Sequence, residues 1–469
     1  MPVARGPMRL RASLLAGAMA LACAAPAARA TDLLDVWRAA EQADMDHAVA
    51  RAAHAAAMPR RDQAAALWRP TVNVSASAGI ATHETRTRGA QFSAPGSSPS
   101  SGVNFNTSIK DGTAGRWAVS ASQPLYNPER RAQQQLLDLS ADLADLEWQS
   151  ARQALMLRTA QRYFDLALAA ESLRVLKLQR DAVQRASTEA QDRFTLGATP
   201  VTDTYEAGAR LAGIQAQVLA AETEVRLKRE LLADSTGLPP ATLSARLPAG
   251  RLADARPRPL DAWLLEAQAG NPDIRARQIA TEAARQEAAK FGLQSSVTVD
   301  LVAQASRDRL SGSGDFGSAA NRGTDRMIGV QISVPLYTGG MRSARQEEAL
   351  RLADKAAAEA DRSHQQTAQQ VRSAWLGLSV GAERVQSLAQ GVKASEARRD
   401  ATHLGHEVGE RTTLDVLNAE NDAAAARLAL VQARAGLLMD RLRLAALAGQ
   451  LDDTMLRAVD EELEPAAPN

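Results

Sequence analysis

Residues 72–80 read VNVSASAGI and residues 297–304 read VTVDLVAQ. In the first, Val72, Val74, Ala76, Ala78 and Ile80 alternate with Asn73, Ser75, Ser77 and Gly79. In the second, Val297, Val299, Leu301 and Ala303 alternate with Thr298, Asp300 and Gln304. Period-two alternation marks β-strands with one apolar and one polar face. Each has a partner downstream: Trp117 and Val119 against Ser120 and Ser122, and Ile328, Val330, Ile332 and Val334 against Gly329, Gln331 and Ser333.

The expectation is two β-hairpins, about 71–124 and about 296–335, with strands of about ten residues. That length and alternation suit an outer-membrane barrel, apolar toward lipid and polar toward a wet lumen. Alternation alone does not separate this from a soluble sheet. Four strands leave two open edges, however, and lipid tolerates none, so a membrane barrel has to be completed by other copies of the chain. Two or three copies both satisfy the count. The polar stretches 82–114 and 306–326 are expected as external loops.

The segments that follow the hairpins read as helices. Between Pro128 and Gly197 there is neither Pro nor Gly, and Leu136, Leu139, Leu143 and Leu146 recur at helix-packing spacing. Taken over 129–194, this helix would be roughly 100 Å long at about 1.5 Å per residue. A globular core does not need that length. After Gly197 a return helix starts at Pro200-Val201-Thr202-Asp203 and stops at Gly237-Leu238-Pro239-Pro240. A second helical hairpin is read over about 340–449, interrupted by Gly377, Gly381 and Gly391, each costing up to about 1 kcal/mol against Ala and marking a bend or a close contact. The helices alone would describe a coiled-coil periplasmic adaptor or tether, and the strands argue against it.

The chain is therefore written twice. Trp37 matches Trp263, Pro124-Leu125-Tyr126 matches Pro335-Leu336-Tyr337, and Gly197, Asp203 and Gly237 match Gly409, Asp415 and Gly449 at one common offset. The Trp pair is spaced more widely, which puts the length difference in the first hairpin. The expected division is a signal peptide over 1–30, repeat one over 31–250, repeat two over 251–455, and a C-terminal tail over 456–469.

Composition agrees with export. Arg5, Arg9 and Arg11, the apolar stretch 12–25 and Ala28-Arg29-Ala30 form a secretory signal, with cleavage before Thr31. A lipidated Cys23 is the rival, but Ala20-Leu21-Ala22 fits a lipobox poorly. Cys23 is the sole cysteine, so the exported chain is thiol-free. Removing four of the 55 basic residues and none of the 54 acidic ones leaves a net charge of −3, and nothing points to nucleic acid. Aromatic content is only 3%, and the Ala-rich remainder suits close helix packing.

Two stretches make the reading specific: GHEVGERTTLDVLNAENDAAAARLALVQARAGLLMDRLRLAALAGQL from Gly405 and RFTLGATPVTDTYEAGARL from Arg193. They resemble the TolC family of outer-membrane channel proteins, which serve type I secretion and outer-membrane efflux. The resemblance spans nearly all of the exported chain. It implies an α+β membrane protein, internally duplicated, whose homotrimer builds a 12-stranded β-barrel in outer-membrane lipid, continued by a long antiparallel α-helical periplasmic barrel. The implied partners are a periplasmic adaptor (a membrane fusion protein) and an inner-membrane transporter, ABC-type for the type I secretion members. An exported protein or small molecule would pass through, with no cofactor and no chemistry. The RT-x-x-DVL form is similar to members that export toxins of the haemolysin and adenylate-cyclase-toxin kind.

The resemblance also assigns roles. Asp415 falls on a periplasmic constriction, where three like charges at one axis would favour bound cations or raised pKa values. A second family aspartate is replaced by Asn418, which halves the ring's charge. Gate contacts fall on Thr202, Asp203, His406 and Arg411, with His406 standing where the family has Tyr. A protonated His406 would strengthen a contact to Asp203 and lose it near neutrality, whereas a solvated helix-end His would do nothing. Arg411 would pair with an acid across a subunit boundary or be an ordinary exposed Arg. Leu196-Gly197-Ala198 and Val408-Gly409-Glu410 match the docking points for adaptor tips.

Enzyme signatures are weak. Gly312-Ser313-Gly314-Asp315-Phe316-Gly317 has dinucleotide-like spacing but does not open a helix after a strand. His403 and His406 share a helix face without the further ligands a metal needs. The sequence has neither a Gly-x-Ser-x-Gly elbow nor a phosphate loop.

Overall fold

The computed structural model describes residues 31–464 apart from 199, 249–257, 294–295, 316 and 338. The signal peptide, Cys23 and the boundary at 250/251 lie outside the described residues. The chain forms two compact units, each drawing on both repeats. One takes residues up to 51, 148–272 and from 364 onward, and the other takes 52–147 and 273–363.

The second unit carries β1 (Thr71–Phe92), β2 (Ser100–Tyr126), β3 (Thr298–Gly314) and β4 (Gly317–Ser333) in one antiparallel sheet of order β1-β2-β3-β4. The register sets Val72 opposite Ala121 and Ala121 opposite Ala303, which faces Ile328. Val74, Val119 and Ala305 align likewise. Directly opposed residues share a face, so the apolar sets of all four strands lie on one side. The other side carries Asn73, Ser120 and Gln304, then Ser77, Arg116 and Asp308, the last two ion-paired at 3.3 Å. β1 and β4 are both open edges.

The strands run 22, 27, 17 and 17 residues, well beyond the ten expected, and most of 82–114 and 306–326 is strand rather than loop. Polar residues close a backbone ladder as well as apolar ones do, and the Thr-rich stretch 82–87 stays extended. The true connections are 93–99 and the short link between Gly314 and Gly317, which pair with each other. Bulges between Ala81 and His83 and between Thr87 and Ala90 interrupt the longer hairpin.

Helices flank the sheet in the sequence: α1 (Leu33–Ala43), α2 (Met45–His54) and α3 (Ala57–Ala66), then α4 (Pro128–Thr195) and α5 (Val201–Thr236), then α6 (Leu260–Gly270) and α7 (Pro272–Leu293). After the sheet come α8 (Met341–Glu407), α9 (Thr413–Leu447) and α10 (Asp453–Glu461). α4 starts on Pro128, whose missing N–H is no loss in a first turn. In the second unit Ala141 and Ala144 pack on Ala57 of α3, and of the four leucines at helix-packing spacing Leu146 is buried while Leu136, Leu139 and Leu143 stay half-buried.

The first unit holds the main core. Trp37 of α1 packs with Leu155, Met156, Tyr163 and Phe164 of α4, Leu232 of α5, Leu438 and Leu442 of α9, and Leu456 and Val459 of α10. The stretch from 456, read as a tail, is thus helical to Glu461 and buries Leu456, Val459 and Leu463. Trp37 donates its indole N–H to Asp453 at 3.0 Å. Its repeat mate Trp263 sits at the edge of a smaller cluster with Ala267, Val371, Leu378 and Leu444, covered by the Arg258 guanidinium. α8 is continuous through its three glycines. A Cβ on Gly377 would strike the Asp440 carboxylate and one on Gly381 would press Leu437, whereas Gly391 faces open space.

Candidate functional site

The two helix reversals, both in the first unit, are built alike. Gly197 has φ +73° and Gly409 φ +81°, a region glycine enters without penalty. Ala198 N–H donates to Arg193 O at 2.8 Å and Gly197 N–H to Phe194 O at 2.9 Å. In the other copy Glu410 N–H donates to Gly405 O at 2.8 Å and Gly409 N–H to His406 O at 3.0 Å. Both are Schellman closures, which satisfy carbonyls a helix end would leave orphaned. Leu196 and Val408, just before the glycines, are strongly exposed, as are Ala198 and Glu410.

The helices that leave these turns begin differently. At α9, Thr412 Oγ1 accepts from Asp415 N–H at 3.2 Å, and Asp415 Oδ2 accepts from Thr412 N–H at 3.0 Å and from Thr412 Oγ1–H at 2.9 Å. This capping box satisfies donors of the first turn. At the matching position before α5 stands Pro200, which has neither N–H nor hydroxyl, so Asp203 receives no such bonds. Its contact is the adjacent Thr202 hydroxyl at 3.4 Å. Aspartates at equivalent positions are therefore one committed and one available.

Capping has an electrostatic consequence. The Thr412 backbone N–H, then its hydroxyl, and the nearby Arg411 charge hold the Asp415 carboxyl below the ordinary aspartate range. Within one chain the shift is downward, so any upward push from like charges has to come from other copies.

Asp203, His406, Gly409 and Arg411 line one cleft of about 450 Å³. His406 Nε2 lies 3.2 Å from Thr413 Oγ1, its hydrogen-bond partner within the chain, and His403 Nε2 lies 3.0 Å from Glu420 Oε1. Arg411 has no ion-pair partner among the described residues. Four charged residues that the sequence does not single out as site residues also line the cleft: Glu189 with Arg193, ion-paired at 2.6 Å, and Glu206 with Arg210 at 3.4 Å. Their i,i+4 spacing was the available signal. Arg210 also donates to Asn418 Oδ1 at 3.3 Å, so Asn418 accepts from a guanidinium within the chain. Among the described residues no group of three His, Cys, Asp or Glu could hold a metal, and no helix is long and apolar enough to cross a membrane.

The family model for outer membrane efflux proteins matches residues 36–238 and 263–450, one span in each copy of the duplicated chain. The chain belongs to the outer membrane efflux protein family. Outer membrane protein TolC of Escherichia coli K12 is 26% identical over 360 residues, covering 75% of this chain and 73% of its own. The alkaline protease secretion protein AprF of Pseudomonas aeruginosa is 27% identical over 344 residues, 73% of this chain and 71% of its own. In three dimensions the outer membrane protein VceC of Vibrio cholerae superposes with a TM-score of 0.69 at 19% identity, covering 89% of this chain and 96% of its own. Membership in the outer membrane efflux protein family makes the chain an outer-membrane channel protein of the efflux and secretion class, with a periplasmic extension, rather than an enzyme.

Proposed function

We propose that three copies of the chain close their sheets edge to edge into one barrel and form the outer-membrane exit duct of a tripartite export system. The observation that carries this reading is the four-stranded sheet with one apolar face and two open edges, β1 and β4. An open edge in lipid leaves backbone groups unpaired, each at a cost of several kcal/mol, and copies of the same chain supply the missing partners. The two similarly built Gly turns, with exposed Leu196 and Val408 beside them, support docking of a periplasmic adaptor (membrane fusion protein) at Leu196-Gly197-Ala198 and Val408-Gly409-Glu410. An ABC-type inner-membrane transporter would drive export.

Within that frame the cargo we favour is protein, by type I secretion. The match to AprF, over nearly as much of the chain and at as high an identity as the match to TolC, supports it. Small-molecule efflux is the second reading, favoured by the description of the family itself. Asp415 and Asn418 would form the periplasmic constriction, and Thr202, Asp203, His406 and Arg411 the gate contacts. Deleting the gene and comparing secreted proteins with drug tolerance separates the cargoes. Loss of a secreted protein at unchanged tolerance supports secretion, and lost tolerance with an unchanged secretome supports efflux. A chain released from the envelope without detergent would overturn both in favour of a soluble tether.

A further inference from the structure

The outward face of the sheet does not stay apolar to its outer end. Helices join the chain at the 298 and 333 ends of β3 and β4, so the Gly314–Gly317 turn is the outer end of this hairpin. Going outward along β4, Val334, Ile332, Val330 and Ile328 are followed on the same face by Arg326, Thr324 and Arg322. Along β3, Val299, Leu301, Ala303 and Ala305 are followed by Arg307 and Arg309. Three successive rows across the sheet hold the change: Val74, Val119, Ala305 and Arg326; then Ala76, Trp117, Arg307 and Thr324; then Ala78, Gly115, Arg309 and Arg322.

Three properties of this strip point to an anionic ligand at the membrane surface. Trp117, exposed and directly opposite Arg307, marks the interface, because tryptophan concentrates where lipid meets water. Arg326 thus lies one row to the membrane side of Trp117, Arg307 level with it, and Arg309 and Arg322 one row beyond, so the four straddle the head-group level. Second, none of the four has an ion-pair partner among the described residues, and the three rows contain no acid; Asp308 and Asp325 point to the opposite face, where Asp308 is held by Arg116. Third, Arg309 and Arg322 are directly opposed, an arrangement of like charges that destabilises a sheet unless something neutralises it. Guanidinium groups bind phosphate in bidentate geometry, and the strip spans about 13 Å along the strands at roughly 3.3 Å per residue.

We propose that Arg307, Arg309, Arg322 and Arg326 form a clamp for the phosphate groups of a phosphorylated glycolipid in the outer leaflet. The clamp would fix the height of the channel in the membrane and relieve the repulsion between the two opposed arginines. It is independent of what the duct exports, since it faces lipid and not the lumen.

The test uses the detergent-purified full channel and diphosphorylated lipid A as probe, with dephosphorylated lipid A and inorganic phosphate as parallel arms and binding read by native mass spectrometry. The expected result is binding of the diphosphorylated lipid about tenfold or more tighter than of the dephosphorylated one. R307Q/R309Q/R322Q/R326Q should lose that preference while keeping its oligomeric state, and the corresponding four Lys substitutions should restore most of it. Should the fourfold Gln variant not assemble, R309Q/R322Q and R307Q/R326Q are each expected to lose part of the preference. Equal binding of both lipids, or an unchanged preference in an assembled Gln variant, would overturn the proposal. Inorganic phosphate competing as tightly as the lipid would show a free-anion site instead and would overturn it too.

Discussion

Gly197 and Gly409 allow backbone strain to be separated from docking. Both have positive φ, and an ideal Cβ at either would meet nothing within 4 Å. Alanine at these positions therefore adds no clash inside the chain; it adds only the left-handed penalty, about 1–2 kcal/mol. That corresponds to about a 5- to 30-fold loss in population of the closed turn. Asparagine tolerates the same conformation far better. If the turns serve only to reverse the helices, function should fall in the order Gly, Asn, Ala. If an adaptor backbone approaches the turn closely, Asn and Ala obstruct it alike, because each fills the space that Gly leaves. We expect G409N and G409A, and likewise G197N and G197A, to reduce adaptor recovered after cross-linking in cells to similar low levels. All four proteins should reach the outer membrane in the wild-type oligomeric state. Wild-type adaptor recovery in the Asn variants, with loss only in the Ala variants, would refute the docking argument and leave backbone strain as the sole effect.

Other expectations concern the helices and the constriction. G377A should lower the temperature at which the oligomer dissociates on a gel, because its Cβ meets Asp440, itself 3.1 Å from Arg443; G391A, facing open space, should raise stability by up to about 1 kcal/mol. Tyr163 is buried, its hydroxyl accepting from Arg246 N–H at 2.8 Å and donating to Thr31 O at 3.0 Å. Y163F leaves an amide without its partner and should cost about 1–3 kcal/mol in denaturant titrations. Asp415 is held below the ordinary aspartate range, so its charge, and the cap stability that depends on it, are present above that range and lost only as pH falls through the depressed value. Block of single-channel conductance by divalent cations should therefore be constant between pH 7 and about 5 and fade at lower pH. D415N should abolish it throughout, and a midpoint near pH 6 would mean that repulsion within the ring outweighs capping.

Much of this was legible in the residues because the physics is local. Alternation at Val72–Ile80 and Ile328–Val334 fixed which face is apolar, and the pairing put all four sets on that same face. The glycines at 197, 237, 409 and 449 announced helix ends and do adopt positive φ. What escaped depends on partners far away in sequence. Strand length was underestimated because a ladder continues through Thr and Arg, whose polarity reads as loop. The leucine spacing on α4 picks out one buried side chain, Leu146, but misses the small-residue cluster that Ala141 and Ala144 form with Ala57. Nothing in the residues alone brings Arg193 and Arg210 to the site: the fold sets both on the cleft that His406 lines and Arg210 against Asn418. The difference between Asp203 and Asp415 was present in the sequence, as Pro200 against Thr412, but its meaning needed the hydrogen bonds of the cap.

Edge pairing between copies is open to direct measurement because the only cysteine, Cys23, falls in the segment expected to be removed on export. Single cysteines can be placed on the polar face of β1 at Asn73 or Ser75 and combined with cysteines on the same face of β4 at Gly329, Gln331 or Ser333. Oxidation in the membrane followed by denaturing electrophoresis then counts the linked chains. If three chains close one barrel, at least one combination should give a ladder that ends at three, with no larger species. A chain that stays monomeric in every combination, or a ladder that ends at two or runs past three, would contradict the trimeric barrel.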